Sequence, residues 1–437
     1  MNPGAQEPRI YGPEEHGISS EAMDPDAVKV VRRLRQGGYI AYIVGGAIRD
    51  LLLGIPPKDF DVATDAPPEA VRKLFRNSRM IGKRFRIVHV YFRPKKIIEV
   101  STFRKDPQWS DEEEIPIEAA NNQWGTPAED AFRRDLTINA FFFDPLENKL
   151  IDYVGGMEDL RRRRIRLIGN PDLRLKEDPV RALRIIRHSA RTRFTIAEET
   201  WEGVLRYREL IRSCNIHRVR QELVREFQEG ALRNSLKLLL RSGLLHELLP
   251  DLENFLLSLE SRPLAKRVYW RILGEADKLY QETPLPPRLS LTCVFAPVVR
   301  PELLGILDQR ISFRTDLIAS AMRRWMTELG LSRSLGDEIA PIVAVQPRLD
   351  SFRLEGEFPH PLKGKSYFAE AIHFARIRAL ALSLSIPESW EENLPSLPAK
   401  RIELIPLPPG RSPQGMMIRE IPLRTLNEAG SSDRKRS

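Results

Sequence analysis

The sequence predicts an α+β protein: a compact α/β head followed by an all-α region. Two observations carry this. Through roughly the first third of the chain, short helical and strand patterns alternate, in "DPDAVKVVRRLRQGG", "YIAYIV", "GGAIRDLLLG", "KDFDVAT", "RIVHVYF" and "KIIEVSTFR". Beyond "DYVGGMEDL", apolar residues recur at helical spacing instead, through "DPVRALRIIRHSAR", "RVRQELVREF" and "RNSLKLLLRSGLLHELLPDL".

In chain order, residues 1–22 are polar and rich in Gly, Pro and Glu, and are expected to be disordered. Asp24 suits a helix N-cap with Pro25 at the first helical position. Val28, Val31 and Leu34 share a face, and Gly37–Gly38 end the helix. Residues 39–44 read as a buried strand running into a glycine turn and a helix. An acidic strand at 58–63, a helix at 68–76 and a hairpin around Arg93-Pro94-Lys95 follow. Residues 105–128 lack periodicity and read as a mobile loop. A short strand at 164–169 precedes a mainly helical, arginine-rich stretch from about 171 to 385. From about 386 the chain is Pro-rich, ends "SSDRKRS" and is expected to be weakly structured.

At 437 residues, with 42% hydrophobic and 30% charged residues, the chain suits a globular protein of two or three domains. Its formal net charge of +9 favours a polyanionic partner, because such a surface gains from phosphate neutralisation and counterion release. Cys214 and Cys293 stand in helical patterns without metal-ligand spacing, which speaks against a disulfide scaffold and for a reducing compartment. No apolar leader and no run long enough to span a bilayer is visible. The expectation is a cytoplasmic protein with no membrane partner.

The chemistry centres on "PPKDFDVATD", residues 56–65. Residues i and i+2 of a strand share a face, so Asp59 and Asp61 project together while Phe60 and Val62 point to the core. Taken alone this is a solvated strand face. Two adjacent carboxylates repel, however, unless a cation lies between them, and a close all-oxygen acidic set is what Mg²⁺ prefers. Upstream, Gly45 and Gly46 of "VGGAIRD" sit at a strand-to-helix turn, where glycine lets backbone N–H groups approach a phosphate. Arg49 could add a fork of donors to a triphosphate. For a third acid, Glu99 of "IIEVSTF" is one candidate, because Ile98 and Val100 claim the core face. Asp135 of "FRRDLTINA" is the other.

Six motifs stand in one order: "YIVGGAIRDLLLG", "KDFDVAT", "RRDLTINA", "DYVGGMEDL", "RLIGNP" and "EDPVRALRIIR". In sequence and spacing, residues 39 to about 250 resemble the class II tRNA nucleotidyltransferase and poly(A) polymerase family. The resemblance implies a polymerase-β-type nucleotidyltransferase head, a mixed sheet with helices, followed by an all-α neck and body that bind RNA. On that reading the chain divides into a head at 23–160, a neck with nucleotide-recognition helices at 161–228, an RNA-binding body at 229–385 and a tail at 386–437. The resemblance also assigns roles. Gly46 and Arg49 match triphosphate contacts, and Asp59 and Asp61 match metal ligands. Arg134 and Asp135 match residues handling the nucleotide's phosphate and ribose, Asp135 also matching a catalytic position of the poly(A) polymerases. Asp178 and Arg181 match the pair that reads the incoming base, with Arg184 one turn further on. The simpler reading of "EDPVRALR" is a cap by Asp178, Pro179 at the first helical position and a Glu177–Arg181 ion pair.

The implied reaction is in-line attack of an RNA 3′-hydroxyl on the α-phosphate of ATP, with two Mg²⁺ ions as cofactors. The base-reading pair excludes G and U but does not separate adenine from cytosine, since both present an amino donor beside a ring-nitrogen acceptor. The segment "MIGKRFRIVHVYF", residues 80–92, resembles the poly(A)-adding branch more than the CCA-adding one. The expected activity is therefore ATP-dependent polyadenylation of RNA 3′ ends, single-stranded RNA or mRNA fragments, with CCA or A addition to tRNA as the alternative. His89, within that segment, is assigned no chemistry. One departure from the family pattern is "RHSARTRFTI", which carries Thr192-Arg193 where a Leu-Gly turn is usual.

Overall fold

The computed structural model describes residues 7–82, 86–93, 96–105, 124–304, 315–398, 400–406 and 416–422. Residues 83–85 of the 80–92 segment, and 106–123 of the expected loop, lie outside these. The chain divides into two compact units, Met1–Arg174 with Phe194–Glu202, and Leu175–Arg193 with Gly203–Ser437. This division crosses the expected boundaries at 160 and 228.

The first unit is built on an eight-stranded mixed sheet. Its strands are β1 (Arg9–Tyr11), β2 (Ala41–Val44), β3 (Asp61–Thr64), β4 (Ser78–Ile81), β5 (Ile87–Phe92), β6 (Lys96–Thr102), β7 (Phe142–Asp144) and β8 (Lys149–Asp152). The order across the sheet is β1-β8-β7-β2-β3-β6-β5-β4. β3 and β6 run parallel, and the other neighbouring pairs are antiparallel. Two further strands, β9 (Arg164–Ile165) and β10 (Thr195–Ile196), pair in parallel and tie the 194–202 segment to this unit.

The period-2 pattern of the strands fixes the two faces of the sheet. Ile43, Val62, Val88, Ile98 and Val100 point into the larger apolar core. The helices α1 (Pro13–His16), α2 (Pro25–Gln36), α3 (Gly46–Leu52) and α4 (Pro68–Leu74) belong to this part of the chain. Asp24 caps α2, its Oδ1 accepting from the backbone N–H of Asp26 at 2.9 Å and of Ala27 at 3.2 Å. Such a cap is worth about 1 kcal/mol. The buried face of α2 is Ala27, Val30, Val31 and Leu34, with Val28 at its margin rather than its centre. Val44, Ala63, Phe103, Phe142 and Ile151 form a smaller cluster on the other face of the sheet. Asp61 and Glu99 alternate with the inward valines and isoleucines, so they fall on this second face.

Three expectations change. Residues 7–22 are ordered, against the expectation, and residues 1–6 lie outside the described residues: β1 pairs antiparallel with β8, and Tyr11, Ile18 and Met23 are buried. The edge of β8 offers unpaired backbone groups that a short strand satisfies, and three apolar side chains hold it there. The acidic strand begins at Asp61 rather than 58. The segment after 386 includes the helix Glu388–Glu392, in which Trp390 is fully buried and donates from Nε1 to the Glu357 carbonyl at 2.7 Å. Beyond it Lys400–Pro406 and Met416–Pro422 form an antiparallel pair.

The second unit is helical, as the spacing predicts, with long helices such as Pro263–Glu282, Thr315–Glu328 and Phe368–Ala381. Its core includes Phe227 edge-on to Phe295 at 6.0 Å, and Phe295 beside Trp325 at 4.8 Å. A buried polar cluster lies here too. Arg187 meets Glu229 at 3.0 Å and Glu222 at 3.1 Å. Burial, and then the carboxylates of Glu229 and Glu222, push the neighbouring Glu226 up to about 8, against the Ser235 hydrogen bond and the pull of Arg187. Cys293 is buried in a helix, whereas Cys214 is half-buried at the end of a 3₁₀ turn rather than within a helix. Among the described residues no helix is long and apolar enough to cross a membrane.

Candidate active site

β2 ends at Val44, and the chain turns at Gly45, whose φ of +77° and ψ of −143° suit glycine alone. A Cβ on Gly45 would stand 3.6 Å from Nη1 of Arg134 and 4.0 Å from Oδ2 of Asp61. The glycine thus brings bare backbone up to both side chains. α3 follows at Gly46.

Asp61 opens β3 directly opposite Val44 of β2 and Glu99 of β6. Glu99 lies opposite His89 of β5, and His89 opposite Arg79 of β4. Residues paired across strands share a face, so Asp61, Glu99 and His89 form one row. Nε2 of His89 is 3.5 Å from Oε2 of Glu99. Asp59 lies two residues before the strand, exposed, with Phe60 packed partly into the core as the alternation requires.

The electrostatics are those of crowded acids. Desolvation, then Glu99 and Asp59, push the Asp61 carboxyl up to about 7 against the pull of Arg134 and His89. Burial raises Glu99 as well, with Arg104 lowering it and Asp59 raising it further. Asp61 is walled by protein yet keeps an exposed edge, so water reaches it and screens part of this repulsion. Among the described residues no three Asp, Glu, His or Cys side chains converge into a ready-made metal centre. The surplus of negative charge on oxygen-only donors nevertheless fits a hard divalent cation in kind.

Arg134 is fixed from α5 (Pro127–Arg133), which begins with a capping box between Thr126 and Glu129. Its Nε and Nη2 donate to Asp130 Oδ2 at 3.2 and 2.9 Å, its Nη1 to the Asn139 carbonyl at 3.4 Å, and its guanidinium stacks 5.4 Å from the Phe142 centroid. Asp130, itself buried, also accepts from the Arg104 backbone at 3.3 Å. Asp130 and Asn139 were not singled out from the sequence. The four-residue Asp130–Arg134 spacing was the available signal for the first, and none existed for the second.

Arg49 is buried behind the turn. Its Nε and Nη2 donate to Asp50 Oδ1 at 2.9 and 2.7 Å and its Nη1 to the Asn139 side chain, and a Cβ on Gly46 would lie 3.3 Å from its Nη2. It braces the loop rather than standing open to it. Asp135 is half-buried, its carbonyl accepting from the Ile168 N–H at 2.9 Å.

The other candidates belong to the second unit. Asp178 does not cap the helix as expected. Its Oδ1 accepts from the Val180 N–H at 3.3 Å, and the helix Arg181–Thr192 starts two residues beyond Pro179. Its Oδ2 accepts instead from Arg218 Nη2 at 2.6 Å, a partner 40 residues away that no local pattern signals. The Glu177–Arg181 ion pair forms as expected, at 2.7 Å. Arg184 lies one turn on, half-buried.

Residues 41–166 match the family of the poly A polymerase head domain, and residues 193–256 match the family described as a probable RNA- and SrmB-binding site of polymerase A. The chain is 39% identical over 290 residues to poly(A) polymerase I of Escherichia coli O6:H1, covering 64% of this chain and 62% of that one. It is 37% identical over 227 residues to the CCA-adding enzyme of Bacillus pumilus, covering 52% and 55%. The chain thus spans less than two thirds of these relatives. The structure of the Bacillus stearothermophilus CCA-adding enzyme in complex with CTP superposes with a TM-score of 0.61 at 26% identity, over 85% of this chain and 82% of that one. Over residues 41–166 and 193–256 the chain is thus similar to the poly A polymerase domains, and it is similar to poly(A) polymerases and CCA-adding enzymes alike.

Proposed function

We propose that this chain is a template-independent nucleotidyltransferase that adds AMP from ATP to RNA 3′ ends, marking RNA for turnover. The observation that carries the reading is the Asp61–Glu99 row beside Gly45 and Arg134, on a head whose matched relatives include poly(A) polymerase I. Asp59 and Asp61 would hold the divalent cation, Mg²⁺ by donor type, with Glu99 or Asp135 as the third acid. When bound, the cation would supply positive charge at the α-phosphate and the attacking hydroxyl.

The chain's own residues do the rest. The amides of Gly45 and Gly46 and the anchored guanidinium of Arg134 hold phosphate oxygens, while Arg49 keeps the loop in shape. Arg134 is pre-oriented by Asp130 and Asn139, so little reorganisation is needed as charge develops. Asp135 serves the nucleotide's phosphate and ribose. Asp178 accepts from the amino group of the base and Arg181 donates to its ring nitrogen, with Arg184 assisting. Asp178 and Arg181 are both ion-paired here, so base reading requires them to exchange Arg218 and Glu177 for the nucleotide.

A second reading is CCA or A addition to tRNA, favoured by the match to the Bacillus enzymes. Extension of oligo(A) and of a tRNA lacking CCA, with each nucleotide separately, decides between them. Long tails from ATP on single-stranded RNA support polyadenylation. Extension of the truncated tRNA alone, with a requirement for CTP, overturns it.

A further inference from the structure

We infer that the first unit carries a nucleobase subsite for the RNA strand, in a cleft of about 430 Å³ lined by Phe132, Thr137, Tyr153, Gly155, Arg166 and Glu199. This rests on the proposed function, and it names how one RNA base would be held. The volume falls within the range of about 300–1,000 Å³ usual for small-molecule sites.

Arg166 is a fixed donor fork. Its Nε donates to Oδ2 of Asp159 at 2.7 Å, and Asp159 is fully buried. Asp159 also accepts from Arg164 Nε at 2.7 Å and from the Thr137 hydroxyl at 2.8 Å. One buried carboxylate with three donors pins the guanidinium from behind. The Nη1 and Nη2 of Arg166 have no hydrogen-bond partner among the described residues, and the side chain is a third exposed. Gly155, in the left-handed region at φ +79°, keeps the space beside the fork clear, since a Cβ there would stand 3.4 Å from Nη2.

Glu199 lines the same cleft, exposed and without an ion pair among the described residues. A carboxylate disfavours a phosphate in the cleft but suits a base that presents an amino donor beside a ring-nitrogen acceptor. Arg166 serves the ring nitrogen, Glu199 the amino group, and Phe132 and Tyr153 the apolar faces. For a poly(A) strand that base is adenine. A chain of contacts links the cleft to Asp61: Tyr153 is edge-on to Phe142 at 5.9 Å, Phe142 lies under Arg134, and Arg134 faces Gly45, which lies close to Asp61.

The test uses the full chain, an oligo(A) primer and the same primer with abasic sites near its 3′ end. KM for RNA and KM for ATP are measured separately, and RNA Kd by fluorescence anisotropy without ATP. Arg166→Lys keeps the charge on Asp159 but loses the fork, and Glu199→Gln changes an exposed residue that folding does not need. Each variant is expected to raise KM and Kd for oligo(A) roughly ten-fold, with KM for ATP within about two-fold and abasic primer binding unchanged. Equal weakening on both primers would show a phosphate contact and overturn the subsite. So would a rise confined to the KM for ATP, or no change in either variant. If the wild type binds oligo(A) with this base dependence yet extends no RNA, the subsite stands and the proposed function falls.

Discussion

Asp61 and Glu99 face one another in register across a parallel strand pair; Arg134 and His89 act on Asp61 and Arg104 on Glu99, with His89 Nε2 3.5 Å from Glu99 and its imidazole held toward the neutral form by burial. Like charges held this close by a rigid sheet mark a site shaped for a positively charged ligand. Asp61→Asn should cut nucleotide incorporation by at least about 100-fold while RNA binding persists, because the loss lies in transition-state stabilisation, and Glu99→Gln should do the same where Glu99 is the third acid. Primer extension beside anisotropy checks this. Asp135→Asn in the same assay separates the two candidates for the third acid, as only the true one should match Asp61→Asn.

The same crowding predicts a ligand effect on stability. Mg²⁺ should raise the melting temperature of the wild type, since whatever binds only the folded state stabilises it. Asp61→Asn should melt higher than the wild type in metal-free buffer and gain little from Mg²⁺. A thermal-shift titration with equal gains in both proteins would remove Asp61 from the ligand set.

Gly45→Ala tests the turn. The added Cβ meets its neighbours at ordinary van der Waals distances, so the cost comes from the backbone conformation and not from a clash. It should destabilise the protein by about 1–2 kcal/mol and lower activity further by displacing backbone from Arg134 and Asp61. Urea melts and extension rates measure the two effects.

How much of this was legible follows from the range of each signal. The glycine turn, the alternation that puts Asp61 and Glu99 on one face, and the Glu177–Arg181 pair rest on spacings of one to four residues, which a sequence displays. Capping of α2 by Asp24 is of the same kind. The edge strand β1 was missed because three residues in a Gly- and Pro-rich context carry no periodicity, and pairing with β8 about 140 residues away supplies its order. The Asp178–Arg218 bond and the burial of Trp390 were illegible for the same reason. The hydrogen bond of Arg49 to Asn139, 90 residues on, was illegible for the same reason.

Glu226 gives a pH-dependent prediction away from the site. Its folded-state value is about 8, above the value near 4.5 of an unfolded chain, so the folded protein holds a proton that the unfolded one releases between these limits. The stability this proton confers is fully present below about pH 4.5 and is lost as pH rises through about 8. Glu226→Gln, a neutral isostere, should flatten the decline and gain on the order of 2–4 kcal/mol over the wild type at pH 8.5 relative to pH 5. Urea unfolding at several pH values reads it directly, and parallel curves for the two proteins would show that Glu226 is ionised in the fold.

Base selection supplies the last prediction. Asp178 is held by Arg218, whose side chain is 56% exposed, so breaking this pair costs little stability, within about 1 kcal/mol. If Asp178 reads the incoming base, Arg218 competes with the nucleotide for its carboxylate. Arg218→Ala should then lower the KM for ATP while the melting temperature barely moves. Asp178→Ala should have the opposite effect on selection: with no acceptor for the amino group, discrimination between ATP and UTP or GTP should fall by about 10- to 100-fold. A purely structural ion pair would make the two variants alike in stability and leave nucleotide selection intact in both. Single-nucleotide extension rates for the two variants, set against their melting curves, separate these cases because selection and stability are read independently.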